Sequence, residues 1–179
     1  MPRIIATIGA PRSGKSSLAL KFDPNYFVTC TFDDFRETLF PPHRRIYWKV
    51  REGPNGDKAQ ALLHDVKYSA VNFALDRGFN VLVPDTHVES KYADPLKHVA
   101  SLHGVTIEWL VLEVPWEVLE HRNRMSDESQ GHKVPDEVLK SFYDKLWAED
   151  AWWRSEPNVK ILPWRNDKGE LYLPLYTPE

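Results

Sequence analysis

Eight consecutive residues near the start of the chain, GAPRSGKS over positions 9–16, fit the pattern G-x-x-x-x-G-K-[ST] at every fixed position. With average residue frequencies, a random match in a chain of this length has a chance of roughly 1%. In such a loop the backbone N–H groups and the start of the next helix surround a polyphosphate. The lysine, here Lys15, reaches the β- and γ-phosphates, and the hydroxyl of Ser16 holds Mg²⁺. A plain glycine turn explains the glycines but not the Lys-Ser pair.

The predicted nucleotide-binding set of this loop is Gly9, Pro11, Arg12, Ser13, Gly14, Lys15, Ser16 and Ser17. Its cofactors would be ATP as phosphoryl donor and Mg²⁺ held by Ser16. None of the seven histidines has the spacing of a zinc ligand, so no transition-metal site is predicted.

A second group of chemically capable residues is Asp33-Asp34-Phe35-Arg36, which follows the second predicted strand. Ligands of open α/β sheets bind beyond the carboxyl ends of the strands. A carboxylate at Asp33 can orient an alcohol and accept its proton, and Arg36 can hold a phosphate on the same acceptor. Phosphoryl transfer depends mainly on positioning and charge neutralisation, so a strong base is not required. An acidic helix start with a surface arginine is the competing interpretation.

Two further polar segments lie near predicted ligand-side positions. Asp85 and Thr86 end the third predicted strand, where Asp85 can orient Arg36 or a magnesium-bound water, or equally cap the next helix. Arg122 and Arg124 close a helix before a polar segment, and we expect a lid at about residues 121–134. Arginines at a lid can clamp phosphates, although basic residues also complement a helix C-terminus.

The elements that must position these residues are short apolar runs alternating with helical patterns. This order predicts an α/β fold of the P-loop NTPase type, a parallel sheet covered by helices on both faces. Strands are predicted at residues 3–8, 26–31, 79–83, 105–111 and 159–163. Helices are predicted at 15–21, from 33 onward, through 62–73 and ending at 77–78, at 91–103 with a break or start near Pro95, at 115–123 and at 135–148.

The bulk composition limits the class of protein. The 179 residues contain no repeat or linker and predict one domain. A net charge of −3 excludes the basic character of proteins that bind long duplex DNA, so any nucleic-acid contacts would be few and local. No apolar stretch approaches the ~20 residues of a membrane span, and the chain starts without a signal-peptide pattern. These features predict a cytoplasmic protein without a membrane partner.

Three aromatic or sulfur features have a structural interpretation. Residues 43–51 (HRRIYWKVR) interleave basic and aromatic side chains, which fits either single-stranded nucleic acid or an amphipathic helix with a solvated basic face. The tryptophans near the C-terminus, at 147, 152, 153 and 164, predict core packing. Cys30, the only cysteine, cannot form an intramolecular disulfide and is expected to be buried.

Taken together and in order, these motifs resemble the kinase domain of phage-type 5′-hydroxyl polynucleotide kinases, enzymes that heal nucleic-acid ends. The resemblance covers nearly all of residues 3–147. It rests on residues 4–17 (IIATIGAPRSGKSS), 32–36 (FDDFR), 84–86 (PDT), 114–116 (VPW), 122–123 (RN) and 134–143 (VPDEVLKSFY).

The resemblance implies ATP-dependent phosphorylation of the 5′-OH ends of DNA or RNA. It implies that Asp33 is the general base, that Arg36 binds the acceptor phosphate, that Asp85 supports Arg36 and that Arg122 is a lid residue. Lys15, Asp33, Arg36 and Arg122 form the implied catalytic set. The implied substrate contacts are Asp33, Arg36, Asp85, Thr86, Val134 and Val138. If the protein is phage-encoded, its compartment would be the host cytoplasm.

The sequence departs from the family pattern at three points. Phe32 stands where the family often has an arginine. The lid is longer than in the best-known members, so Arg124 is only the best local candidate for a second lid arginine. Nothing resembles the Asp-rich motif of their C-terminal phosphatase domain, which predicts kinase activity alone. A small-molecule P-loop kinase and a non-catalytic nucleotide-binding module remain alternatives, and the placement of Asp33 counts against the second.

Overall fold

A six-stranded sheet forms the centre of the computed structural model, which describes residues 1–42, 45–126, 133–165 and 170–171. The strand order is β2-β3-β1-β4-β5-β6, with the first five parallel and β6 antiparallel to β5. The strands are β1 Ile4–Ile8, β2 Phe27–Thr29, β3 Asn80–Val83, β4 Ile107–Glu113, β5 Val159–Arg165 and β6 Glu170–Leu171. The five predicted strands are confirmed, and β6 is an addition to them.

Helices cover both faces of this sheet, as predicted. They are α1 Lys15–Ala19, α2 Phe32–Leu39, α3 Arg45–Arg51, α4 Gly56–Asp76, α5 Ser90–His103, α6 Trp116–Arg124 and α7 Asp136–Trp147, with a short 3₁₀ helix at Trp152–Ser155. Along β1, Ile4 and Ile8 face the core cluster that α4, α5 and α7 cover. Ile5 faces the opposite cluster with Leu18 of α1. This alternation is that of a strand buried on both faces.

The longest helix, α4, buries a different face from the one that its apolar residues suggest. Leu62 and Phe73, at predicted helical spacing, are 47% and 61% exposed. The buried positions are Ala59, Leu63, Lys67, Val71, Ala74 and Leu75. Lys67 interrupts the apolar pattern of this buried face. Its charge is tolerated there because it is paired inside the protein.

Two other local predictions are settled by the structure. Helix α5 is continuous from Ser90 to His103 and contains Pro95 in its interior, so the proline neither starts nor ends it. The segment at 43–51 contains helix α3, while residues 43–44 lie outside the described residues.

The predicted core packing of the tryptophans near the C-terminus and the predicted burial of Cys30 are confirmed. Trp153 is buried, Trp147 and Trp152 pack against the same core cluster, and Trp164 packs against the cluster that contains Ala10. Cys30 is buried just after β2, and burial raises the pKa of its thiol to about 11. The thiol is therefore protonated at neutral pH and serves as a small apolar side chain.

Candidate active site

The strand order brings the candidate segments to one edge of the sheet. The loop after β1 contacts the end of β3 through two hydrogen bonds, from the Gly9 N–H to the Thr86 carbonyl (3.1 Å) and from the Thr7 hydroxyl to the Asp85 carbonyl (2.7 Å). Because β2 neighbours β3 and β4 neighbours β1, the segments after β2 and β4 start at the same edge. This is the side where ligands of parallel sheets bind.

The phosphate-binding loop is held in shape by its glycines. A Cβ atom on Gly9 would lie 2.7 Å from the Ser13 hydroxyl oxygen and 3.2 Å from Cβ of Leu112, so any larger residue would force these side chains to shift. Gly14 has a φ of 95°, a left-handed conformation that side chains rarely adopt, directly before α1. Ser13 is buried, whereas Ser16 and Ser17 are exposed at the start of α1.

Lys15 lies across this loop. Its Nζ donates to the carbonyls of Gly9 (3.1 Å) and Ala10 (2.7 Å) and to the Ser13 hydroxyl (3.4 Å). Burial lowers the pKa of Lys15 to about 8, although the negative charges of Asp33 and Asp85 oppose this shift. Both carboxylates are therefore close enough to Lys15 to influence its charge.

Asp33 and Arg36 form an ion pair at the start of α2. Thr31 caps this helix by accepting a hydrogen bond from the Asp33 N–H (3.2 Å), and this fixes the first turn. Nη1 of Arg36 lies 2.7 Å from Oδ1 of Asp33, and the two side chains are 20% and 36% exposed. Within the described part of the chain, the buried Nε of Arg36 has no hydrogen-bond partner. The pair thus combines an accessible carboxylate with a guanidinium that has a spare donor.

Aromatic rings surround the Arg36 guanidinium. Its Cζ lies 5.6 Å from the ring centre of Phe32, 5.1 Å from that of Tyr47 and 5.0 Å from that of Trp48. Contacts of this kind hold a cation through the negative face of the ring. Helix α3, which supplies Tyr47 and Trp48, is therefore a wall of the site.

Asp85 contacts α2 and α4, and among the described residues no direct hydrogen bond or ion pair joins it to Arg36. Its Oδ1 accepts from the Thr31 hydroxyl and from the Phe32 N–H, both at 3.1 Å. Its Oδ2 lies 2.5 Å from Nζ of Lys67. Lys67 of α4 thus pairs with the carboxylate that the resemblance assigned to the support of Arg36. Asp85 therefore fixes the start of α2, which carries Asp33 and Arg36.

Lys67 is the site residue that sequence reasoning missed. It is fully buried, and its Nζ lies 3.8 Å from the ring centre of Phe32. Burial lowers the pKa of Lys67 against the opposing effect of Asp85. Burial raises the pKa of Asp85, but the charges of Lys67 and His87 and the hydrogen bonds outweigh it, so that pKa is lowered. Lys67 lies four residues from the neighbouring buried positions of α4, and this spacing was the sequence signal that could have revealed it.

His87 connects the ends of β1 and β3 beneath the loop. Its Nδ1 lies 2.9 Å from the Thr7 carbonyl, and its ring packs edge-on against Trp109 with the ring centres 5.7 Å apart. Burial lowers the pKa of His87 to about 4. The ring is therefore neutral at pH 7 and donates Nδ1–H to the carbonyl.

Of the two lid arginines, Arg122 contacts the loop and Arg124 does not. Nη1 of Arg122 donates to the Arg12 carbonyl (3.0 Å), and its Cζ lies 4.8 Å from the ring centre of Trp164. Arg124 is 63% exposed and pairs with Glu120 at 3.4 Å. The structure thus brings Arg122 to the predicted phosphate site and leaves Arg124 on the surface of α6.

The remaining predicted substrate contacts lie around α7. Val134 packs against the cluster of Ala10, Leu119 and Leu139, and Val138 is 38% exposed. Residues 127–132 of the predicted lid lie outside the described residues.

Two features are absent from the described residues. Among them, no group of three or more His, Cys, Asp or Glu side chains is arranged to hold a metal ion. None of the helices in this part of the chain is both long and apolar enough to cross a membrane.

Comparison with known proteins supplies a family and a fold. The sequence pattern of the AAA_33 family, described as an AAA domain, matches residues 4–147. A chain of the Pnkp1/Rnl/Hen1 RNA repair complex is similar with a TM-score of 0.65 and 22% identity, over 81% of this chain and 44% of that chain. This chain therefore spans less than half of that protein.

Two further structures match along most of both chains. Chaetomium thermophilum Kti12 in complex with ADP-AlF3 has a TM-score of 0.64 and 14% identity, covering 92% of this chain and 91% of that chain. A sugar kinase from a Janibacter species has a TM-score of 0.60 and 18% identity, covering 91% and 86%. At these identities the likeness establishes the P-loop kinase-like fold.

Proposed function

The chain belongs to the AAA_33 family of AAA domains, and from that premise we propose that it transfers the γ-phosphate of ATP to the 5′-OH of a nucleic-acid end. The observation that carries the proposal is the ion pair of Asp33 and Arg36, 2.7 Å apart and facing the same site as Lys15. A nucleotide-binding module without an acceptor has no use for such a pair. A similar fold in a chain of an RNA repair complex is consistent with this acceptor.

On the donor side, the loop N–H groups and Lys15 would bind the β- and γ-phosphates of ATP. The exposed hydroxyl of Ser16 fits Mg²⁺, because that ion takes oxygen ligands and is usually held by one or two protein groups, substrate phosphates and water. When bound, Mg²⁺ would neutralise charge on the β- and γ-phosphates. Arg122, already at the loop, would contact the phosphates from the lid side.

On the acceptor side, Arg36 would exchange its bond to Asp33 for a phosphate next to the reacting hydroxyl. Its Nη1 and the neighbouring Nη2 can then donate to two phosphate oxygens at once. This exchange ends the contact between Arg36 and Oδ1 of Asp33, and that oxygen can then accept the hydroxyl proton. The hydroxyl oxygen then bonds to the γ-phosphorus while the bond to the β,γ-bridging oxygen breaks and ADP leaves.

The pKa of Lys15 predicts how ATP binding depends on pH. A bound polyphosphate favours the charged amine, so affinity is full below pH 8 and falls as the pH rises through the free-protein pKa of about 8. Calorimetric titration with ATP should give roughly tenfold weaker binding at pH 9 than at pH 7. In Lys15→Arg, which keeps its charge over this range, any remaining affinity should not change with pH. Equal wild-type affinities at both pH values would contradict the role of Lys15.

The acceptor assignment is tested with two small substrates that differ by one phosphate. A nucleoside 3′-phosphate should be phosphorylated on its 5′-OH, and the nucleoside alone should be much poorer, because Arg36 has a phosphate to bind only in the first. Arg36→Ala should remove most of this difference, a loss of roughly 10-fold or more in the ratio of kcat/KM. Arg77→Ala, at an exposed arginine at the far end of α4, is the control and should preserve the ratio.

Two results would reject the acceptor assignment. Equal wild-type activity on both compounds would show that no acceptor phosphate is recognised. Phosphorylation restricted to small metabolites, in a panel of hydroxyl compounds run beside a 5′-OH oligonucleotide, would favour the small-molecule kinase.

A further inference from the structure

Helix α3 has one face inside the protein and one face in solvent. Tyr47 is 2% exposed and packs with Ala59 and Leu63 of α4. Arg45, Trp48 and Lys49 are exposed and lie three and four residues apart, so they share the outer face of the helix. The buried tyrosine therefore fixes how these three side chains are presented.

Trp48 is 43% exposed, so its indole ring has room for a ligand beside its partners within the protein. One such partner is Arg36, whose Cζ lies 5.0 Å from its ring centre. The exposed indole is thus continuous with the arginine that would hold the acceptor phosphate. The base of the nucleotide that follows this phosphate would therefore lie near the exposed ring.

The charge of α3 also favours a nucleic-acid strand. The helix contains three basic residues and no acidic one, in a chain whose net charge is −3. Arg51 is paired with Asp57 at 3.1 Å. Lys49 forms no ion pair within the described residues and stands one position from Trp48. Aromatic rings beside basic groups are the usual means of binding single strands, through stacking and phosphate contact.

From these contacts we propose that the outer face of α3 binds the second nucleotide of a single-stranded acceptor. Trp48 stacks on its base, and Lys49 and Arg45 contact the phosphate that follows. This inference rests on the proposed function and specifies its preferred substrate as a single-stranded end of at least two nucleotides. A duplex end would have to unpair before the base could reach Trp48.

The test compares acceptors of increasing length at saturating Mg-ATP. The wild-type kcat/KM should rise about tenfold from a nucleoside 3′-phosphate to a trinucleotide with a 5′-OH, the gain expected from one stacked base. The readout is the ratio of the two constants, since Trp48 touches Arg36 and its replacement can change both. In Trp48→Ala and Trp48→Leu the ratio should fall close to one, and in Trp48→Phe most of it should remain.

Phe73→Ala is the matched control, because Phe73 is also an exposed ring (61%) beneath an arginine, with Cζ of Arg77 5.8 Å from its centre. It should leave the activity and the ratio unchanged. A wild-type ratio near one, or an undiminished ratio in both Trp48→Ala and Trp48→Leu, would overturn the stacking site while leaving the kinase assignment intact. If no nucleic-acid end is phosphorylated at all, the proposed function and this inference both fail.

Discussion

Replacing Asp33 with asparagine should lower kcat by about 10²- to 10⁴-fold and leave the affinity for ATP nearly unchanged. Asparagine keeps the size of the side chain but cannot accept the hydroxyl proton. In the proposed mechanism this carboxylate, which lies 2.7 Å from Nη1 of Arg36, accepts the proton only as the transition state forms. Steady-state kinetics and calorimetric titration with ATP separate the two effects.

The neighbouring residue provides a control of equal charge. Asp34 lies in the same first turn of α2 and is exposed, so Asp34→Asn removes the same helix-start charge without touching the ion pair. Its kcat should remain within a few-fold of wild type. If Asp33→Asn loses ATP affinity and keeps kcat, Asp33 belongs to the donor side and the assignment is wrong.

Replacing Lys67 with methionine should lower the free energy of unfolding by about 3–5 kcal/mol. Methionine fills a similar volume, but it leaves the carboxylate of Asp85, only 12% exposed, without its counter-charge. Urea unfolding followed by circular dichroism measures the loss. The double variant Lys67→Met, Asp85→Asn should be less destabilised than the sum of the two single variants, because the uncompensated charge is gone.

An exposed lysine provides a comparison for the expected loss in the free energy of unfolding. Lys140 and Asp144 form an ion pair in which both side chains are exposed, 51% and 57%, and Lys140→Met should cost no more than about 1 kcal/mol. Similar losses for Lys67→Met and Lys140→Met would mean that the buried pair does not fix the start of α2.

The phosphate-binding loop was predictable because its parts are adjacent in the chain. A strand, a glycine loop and Lys15 specify the geometry within about a dozen residues, and the alternation of strands with helices specified the parallel sheet. Asp33 and Arg36 could be assigned to one site for the same reason, since residues three apart on a helix are neighbours, although the ion pair between them was not predicted.

The support beneath the site was not predictable, because it depends on packing between distant elements. Lys67 and Asp85 meet only after α4 packs beside the sheet. Because Lys67 is charged, the buried face of α4 cannot be recognised from its apolar residues alone. The departure at Phe32 belongs to the same network. Its ring covers Lys67 at 3.8 Å and packs on His64 with the ring centres 4.8 Å apart. The aromatic ring of Phe32 therefore covers the ion pair of Lys67 and Asp85 on one side.

Asn123 has a consequence for how the lid can diverge. Its side chain is fully buried, and its Nδ2 donates to the Val134 carbonyl (2.6 Å) and to Asp136 (3.0 Å) while its Oδ1 accepts from the Val134 N–H (3.0 Å). One amide thus fastens the end of α6 to the start of α7. Closing a chain segment between fixed ends costs only about 0.6 kcal/mol for each doubling of its length. Changes in chain length between Asn123 and Val134 should therefore cost the fold little while Arg122 keeps its place at the loop.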